Sequence, residues 1–350
     1  MRDAMKRIEF NDYGYALLQG DSRTAMSDVP DGFVDCCVTS PPYYNLRDYG
    51  VDGQIGNEKS PGEYIQSLVE VFSEVRRVLK DDGTLWVNIG DCYWNRRGDD
   101  DGMAGSLAFG GIKQKDKIGI PWMLAFALRN DGWYLRQDII WNKKNAQPES
   151  VKDRCVCAHE YIFMFSKSQS YHYDYEAIQE PAGFDIGRTS LGDQISGDLF
   201  GDEGDGLTED GTHCTLKKAI RMGGSKYGDS DDPHYATRSG KAWTPKVKKM
   251  EDGSVQLIRN RRDVWTLATT KSYDVAHFAT YPKQLVEPCI LAGCIENGVV
   301  LDPFNGAGTT GIVAMRLGRK YLGVELNPEY VKLTEERFRN DPDVMQQTLF

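Results

Sequence analysis

Ser40-Pro41-Pro42-Tyr43, the core of Val38-Thr39-Ser40-Pro41-Pro42-Tyr43-Tyr44, closes a short apolar run with a rigid turn carrying a small hydroxyl and an aromatic ring. The two prolines fix φ and lack an N–H, so the carbonyls around them have no local ladder partner and can face a ligand's amino group. Tyr43 can then stack on a flat ring while Ser40 and a carbonyl hold its exocyclic nitrogen. The competing reading of these residues is a proline-stiffened loop after a strand.

A second group of residues lies late in the chain. Leu301-Asp302-Pro303-Phe304-Asn305-Gly306-Ala307-Gly308-Thr309-Thr310-Gly311 reads as a strand tip, a glycine turn and a helix start. Glycines let the backbone approach a ligand closely, and a site at the carboxyl end of a strand is a nucleotide-binding edge. Asp302 can accept a hydrogen bond from a ligand ammonium. Glu325, closing Tyr321-Leu322-Gly323-Val324, suits the two hydroxyls of a ribose.

Gly306-x-Gly308-x-x-Gly311 also satisfies the dinucleotide fingerprint, with Glu325 at about the expected distance, so an NAD-dependent oxidoreductase competes. Two residues argue against it. Asp302 and Phe304 stand between strand and glycines, placing a negative charge and a ring where a diphosphate would sit. S-adenosylmethionine, with a sulfonium, an amino acid end, a ribose and an adenine but no phosphate, fits better.

The elements that must position these residues follow from periodicity. Before about Lys167 strand-like and helix-like segments alternate. Strands are predicted at Ala16 to Leu18, Val34 to Val38, Thr84 to Ile89, Gln137 to Trp141 and Tyr161 to Phe165, and helices at Gly62 to Lys80 and Pro121 to Arg129. Ile65, Leu68, Val69, Phe72, Val75, Val78 and Leu79 give the first helix an apolar face, and Asp81-Asp82-Gly83 is its stop signal. After Arg259 the pattern returns, with helices at Pro282 to Cys294, Thr309 to Leu317 and Pro328 to Phe338, and strands at Val299 to Leu301 and Lys320 to Val324. Such alternation implies a doubly wound α/β fold on a mostly parallel sheet. Between them, about 168–258 is rich in Gly, Asp, Ser and Thr and too long for a simple loop, so it reads as an inserted recognition region. The resulting division is 1–167, 168–258, 259–340 and a tail at 341–350.

Composition sets outer bounds. A chain of 350 residues suits one large domain or a core domain with an insertion. It has no run of about 18 apolar residues and a charged start, Met1 to Phe10, which predicts a cytoplasmic protein without a signal peptide. Its eight cysteines are scattered, mostly inside apolar runs such as Cys36-Cys37 and Cys289, and read as reduced thiols. The net charge of −10 argues against a nucleic-acid binder until its distribution is considered. Acidic residues crowd at Asp99 to Asp101 and between Asp185 and Asp210. Basic ones cluster at Lys143-Lys144, Lys217-Lys218, Lys246 to Lys249 and Arg259 to Arg262, which permits a basic face on an acidic protein.

Together, Thr39-Ser40-Pro41-Pro42-Tyr43 and Leu301 to Thr310 resemble the amino-group DNA methyltransferases that modify cytosine N4 or adenine N6. The order, catalytic motif first and cofactor motif late, is similar to the beta arrangement of that family. Further matches are Leu18 to Asp21, Ile140 to Lys143, His159 to Phe163, His277 to Pro282 with Leu285, and Gly323 to Asn327. They extend over nearly all of the chain outside 168–258 and its last ten residues.

The resemblance implies a Rossmann-like methyltransferase fold, S-adenosylmethionine as cofactor and double-stranded DNA as partner. It implies that Asp302, Phe304, Gly306 and Gly308 contact the methionine part of the cofactor, with Thr309 and Thr310 in the same pocket. Glu325 would bind the ribose and Asp21 the adenine amino group, although Asp21 and Thr309 also read as helix N-caps. A base inside a duplex is unreachable, so such enzymes flip it out. Tyr43 would stack on the base, and Ser40 with the Pro41 carbonyl would draw the amino lone pair toward the methyl carbon. The transfer is then in-line, without a covalent intermediate. Ser at the first motif position favours cytosine N4 over adenine N6. A non-catalytic DNA-binding module is the remaining alternative.

Sequence recognition is expected from 168–258, through Lys217, Lys218, Arg221, Lys246, Lys248 and Lys249, with Lys143, Arg259, Arg261 and Arg262 as further DNA contacts. Cys289 is mid-helix and reads as a core residue rather than a nucleophile. Cys155-x-Cys157-x-His159 lacks the spacing and fourth ligand of a structural zinc, and no metal is expected. Gln346-Gln347-Thr348-Leu349-Phe350 is similar to the peptide that bacterial sliding-clamp partners insert into a groove. The family resemblance also suggests a homodimer and a companion restriction endonuclease.

Overall fold

The computed structural model describes residues 8–94, 111–182, 246–249, 255–269, 281–342 and 344, with backbone alone at 246–249 and 255–257. Lys217, Lys218, Arg221, the acidic stretches at 99–101 and 185–210, the motif residues 277–280 and the tail 346–350 lie outside the described residues.

Eight strands form the central sheet: β1 (Tyr15–Gln19), β2 (Val34–Thr39), β3 (Leu79–Ile89), β4 (Tyr134–Lys143), β5 (His159–Ser166), β9 (Val264–Leu267), β10 (Val299–Asp302) and β11 (Lys320–Glu325). Their order is β1-β11-β10-β2-β3-β5-β4-β9. Every pairing is parallel except those of β5, which runs antiparallel to β3 and β4. The strands alternate between two buried faces, as a period of two requires. Leu85, Val87, Leu301, Leu322, Val324, Phe163 and Phe165 face one core, while Trp86, Val300, Tyr321, Ile162 and Met164 face the other.

Helices cover both faces, which defines the doubly wound arrangement. On the first lie α2 (Pro61–Val78) and α3 (Ile120–Asn130); on the second lie α4 (Lys283–Gly293), α5 (Thr309–Arg316) and α6 (Pro328–Asn340), after the single turn α1 (Ser22–Ala25). Ser60 caps α2 by accepting the Glu63 N–H at 3.2 Å, and Pro61 occupies a first-turn position where its missing N–H costs nothing. α3 starts from Gly119, which has no capping side chain. Asp91 caps it from a distance, accepting the N–H groups of Gly119 at 3.0 Å and Ile120 at 3.1 Å.

One junction departs from the sequence expectation. The helix ends at Val78, not Lys80, and Asp81-Asp82-Gly83 lies inside β3 rather than forming a stop. Leu79 is fully buried and pairs with Val34, so the chain passes straight from helix into strand. Burial of one leucine, roughly 1.5–3 kcal/mol, outweighs the turn preference of an Asp-Asp-Gly run.

The chain divides into two compact units, Met1–Ile178 with Arg262–Phe350, and Gln179–Arg261. The second contains an antiparallel sheet of β6 (Glu180–Pro181), β8 (Val255–Arg259) and β7 (Lys246–Lys249) in that order. Tyr171, Tyr173 and Ile178 pack in the core of the first unit, so the division falls later than Ser168. Among the described residues, no helix is long and apolar enough to cross a membrane.

Candidate active site

A cavity of about 620 Å³ runs along the carboxyl edge of the parallel strands. The strand order dictates its wall: β1 leads into Asp21, β11 ends in Glu325, β10 in Asp302, β2 leads into Ser40, β3 ends near Asn88 and β4 in Lys143. β5, running the other way, presents Glu160 from its start. Neighbouring strands are about 4.8 Å apart, so residues on β11 and β2, two strands apart, are separated by roughly 10 Å across the sheet. The two sequence motifs, which follow the neighbouring strands β10 and β2, therefore adjoin in one cavity, with Glu325 and Asp21 farther along its wall.

At the β10 end, Asp302 is 2% exposed and its carboxylate is saturated from within the fold. It accepts from the hydroxyls of Thr39 at 2.6 Å, Thr310 at 2.7 Å and Tyr281 at 3.2 Å, and from the Phe304 N–H at 3.0 Å. Burial raises its pKa, and these donors oppose the rise. Asp302 therefore orders the turn as well as lining the cavity. Phe304 lines it too, its ring edge-on to Phe72 at 6.4 Å.

Glu325 accepts the Gly306 N–H at 2.7 Å and the Asn327 N–H at 2.9 Å. Burial pushes its carboxyl up to about 7 despite those bonds. Asp21 follows β1, caps α1 by accepting the Arg23 N–H at 2.9 Å and pairs with the Arg23 guanidinium. Burial pulls its pKa upward, but the bonds from Arg23 prevail and hold it below the ordinary value.

Gly306 and Thr309 line the cavity, whereas Gly308 and Thr310 stand behind its wall. Gly308, at φ +71°, is the N-cap of α5 in place of Thr309, and a Cβ on it would lie 2.6 Å from Thr334 and 2.8 Å from Phe338. Thr310 is fully buried and donates to Asp302.

At the β2 end, Ser40, Pro41, Pro42 and Tyr43 all line the cavity. The Pro42 carbonyl accepts from the Tyr64 hydroxyl at 2.8 Å; the Pro41 carbonyl is the one assigned above to an amino group. Tyr43 donates to Glu160 Oε2 at 2.6 Å. Burial pushes its phenol well above the usual value, and the Glu160 charge adds to the effect.

The expected DNA contacts that are described belong to both units. Lys143 stands in the cavity wall, ion-paired with Glu160 and 4.9 Å from the centroid of the Trp141 ring, rather than on an open basic face. Arg259 donates to Glu180 at 2.9 Å within the second unit. Arg261 is half-buried and Arg262 exposed, and Lys246, Lys248 and Lys249 lie on β7. Cys289 is buried in α4, and Cys155 and Cys157 precede β5, with Cys157 at the cavity. Among the described residues no cluster of His, Cys, Asp and Glu could hold a metal.

Sequence reasoning assigned no role to Asn88, Glu160 or Tyr281. The signals were a lone polar residue inside Leu85-Trp86-Val87-Asn88-Ile89, a lone charge opening Tyr161-Ile162-Phe163, and a tyrosine adjoining a motif.

The glycine turn and the proline turn thus belong to the wall of one cavity. The DNA methylase family model, of the N6/N4 type, matches residues 34–336. The chain belongs to the N6/N4 DNA methylase family, which decides against the nicotinamide reading of its glycines. Type II methyltransferase M.SmaI of Serratia marcescens is 41% identical over 340 residues, spanning 94% of this chain and 92% of that protein. Type II methyltransferase M.Cfr9I of Citrobacter freundii is also 41% identical, over 95% of this chain and 90% of that one. Among solved structures, the PvuII DNA methyltransferase (cytosine-N4-specific) superposes with a TM-score of 0.57 at 17% identity, covering 96% of this chain and 91% of that chain. TTHA0409 of Thermus thermophilus, a putative DNA modification methylase complexed with S-adenosyl-L-methionine, gives 0.51 at 23%, covering 94% and 95%. The two structures share the fold.

Proposed function

We propose that this DNA methylase transfers a methyl group from S-adenosylmethionine to N4 of a cytosine flipped out of duplex DNA. The observation that carries the reading is the single cavity that joins the glycine turn to the Ser40-Pro41-Pro42-Tyr43 turn. In it Glu325 accepts from the ribose hydroxyls, Asp21 meets the adenine amino group, and Phe304 and Gly306 flank the methionine portion. Asp302 gives that end negative charge and holds the turn through Thr39, Thr310 and Phe304.

Tyr43 stacks on the base while Ser40 and the Pro41 carbonyl accept from its amino group. That would rehybridise the nitrogen and aim its lone pair at the methyl carbon; as the N–C bond formed the S–C bond would break, S-adenosylhomocysteine would leave as a neutral thioether, and the nitrogen would then release its proton to solvent, so no strong base is required. Catalysis here is placement plus electrostatics. Ser40, a neutral hydroxyl in place of a carboxylate or amide, supports cytosine over adenine. Gln179–Arg261, which carries the basic strand β7, reads the DNA sequence.

The test is methylation of mixed-sequence DNA with labelled S-adenosylmethionine, digestion to nucleosides and mass spectrometry. The expected product is N4-methyldeoxycytidine, lost in Tyr43→Ala. N6-methyldeoxyadenosine would overturn the cytosine assignment, and the absence of methyl transfer would overturn the whole reading.

A further inference from the structure

The cavity wall holds a charged group that methyl transfer does not itself call for. Glu160, its side chain 12% exposed, shares its carboxylate among three donors. Lys143 pairs with Oε1, while the Tyr43 hydroxyl, at 2.6 Å, and the Asn88 amide, at 3.2 Å, both donate to Oε2. Asn88 is tied in turn to the Tyr161 carbonyl at 3.2 Å, and Lys143 rests over the Trp141 ring. The carboxylate is thus fixed from both neighbouring strands, β3 and β4.

Tyr43 is confined from a second direction. A Cβ at Gly90 would fall 2.7 Å from Cε2 of its ring and 3.2 Å from Cδ2, so the ring lies directly on the backbone where β3 ends. Packing against Gly90 limits where the ring can sit, and the hydroxyl bond limits how it can turn. A bond to a carboxylate is about twice as strong as one between neutral groups. Removing two charges from water to hold one phenol is costly, and such pairs are weak evidence of a stabilising role.

We infer that Glu160 is a positioning residue: it anchors the Tyr43 hydroxyl so that the ring is preset for the target base, with Lys143 as its counter-charge. This rests on the proposed stacking of Tyr43 on that base. It also gives Lys143 a place inside the site rather than at the DNA backbone.

The experiment compares Tyr43→Phe, Glu160→Gln and the double variant. S-adenosylmethionine binding stays within about twofold of the parent, because Glu160 acts at the β5 stretch of the cavity wall, away from Glu325 and Asp21. Turnover on mixed-sequence DNA falls about 10- to 100-fold in each single variant, the size of one hydrogen bond to a charged group expressed as a rate. The double variant is no slower than the slower single one, since both remove the same bond. In a protein labelled with [ε-13C]tyrosine, the Tyr43 signal, assigned by its absence in Tyr43→Phe, shifts in Glu160→Gln and its ring flips faster.

Losses that multiply, a Tyr43 signal unmoved by Glu160→Gln, or collapse of cofactor binding in that variant would each overturn the inference. If the parent protein transfers no methyl group, the proposed function fails, while the tyrosine signal still decides whether Glu160 holds Tyr43.

Discussion

Glu325 shows how burial and hydrogen bonding compete within one side chain. Two backbone N–H groups favour its ionised form, yet burial prevails and leaves the carboxyl at about 7. An acid whose folded pKa is raised contributes stability below its unfolded value, and that contribution is lost as pH rises through 7. In the proposed site cofactor binding has the opposite sign, because ribose hydroxyls would donate to the ionised form. The dissociation constant for S-adenosylmethionine is therefore expected to be about tenfold larger at pH 6 than at pH 8, as one group titrating near 7 requires. Glu325→Gln should bind weakly with a flat profile. Calorimetric titration across this range checks it; equal affinity at both pH values in the parent protein would remove Glu325 from cofactor binding.

At the scale of elements, the glycines of the turn divide between ligand and packing. Gly306 borders the cavity, but Gly308 adopts φ +71° against Thr334 and Phe338 of α6. Gly308→Ala should cost about 2–4 kcal/mol, combining roughly 1–2 for a left-handed backbone with overpacking. It should also weaken cofactor binding, because Thr309 at the cavity is the first residue of α5. Urea denaturation gives the first quantity, and a loss under about 0.5 kcal/mol, the range of ordinary surface changes, would show that the turn relaxes freely.

Much of this layer was legible beforehand, because apolar runs such as Val34 to Val38 and Val299 to Leu301 are bounded by turn chemistry and lie next to the motifs. The α2–β3 junction was not, since burial of Leu79 overrides the local Asp-Asp-Gly signal. Nor was the reversed direction of β5, because side-chain alternation is the same whichever way a strand runs. That reversal is what brings Glu160, at the start of its strand, level with Asn88 near the end of β3.

For the whole molecule the question is how a chain of net charge −10 holds a polyanion. Every cavity residue named above belongs to the unit formed by Met1–Ile178 and Arg262–Phe350, and Lys143, the lysine in its wall, is neutralised by Glu160. Arg47 also lines the cavity, and among the described basic runs outside it β7 of the second unit places Lys246, Lys248 and Lys249 within four residues. Each phosphate contact contributes about 0.9 to the slope of log affinity against log salt. Replacing all three lysines with glutamine should lower that slope by roughly 2 to 3 and weaken DNA binding most at low salt. Binding of S-adenosylmethionine should stay as in the parent, because none of the residues proposed to hold the cofactor belongs to that unit. Fluorescence anisotropy at several salt concentrations, paired with cofactor titration, measures both. An unchanged slope would move the phosphate contacts off β7, leaving the exposed Arg262 among the remaining candidates.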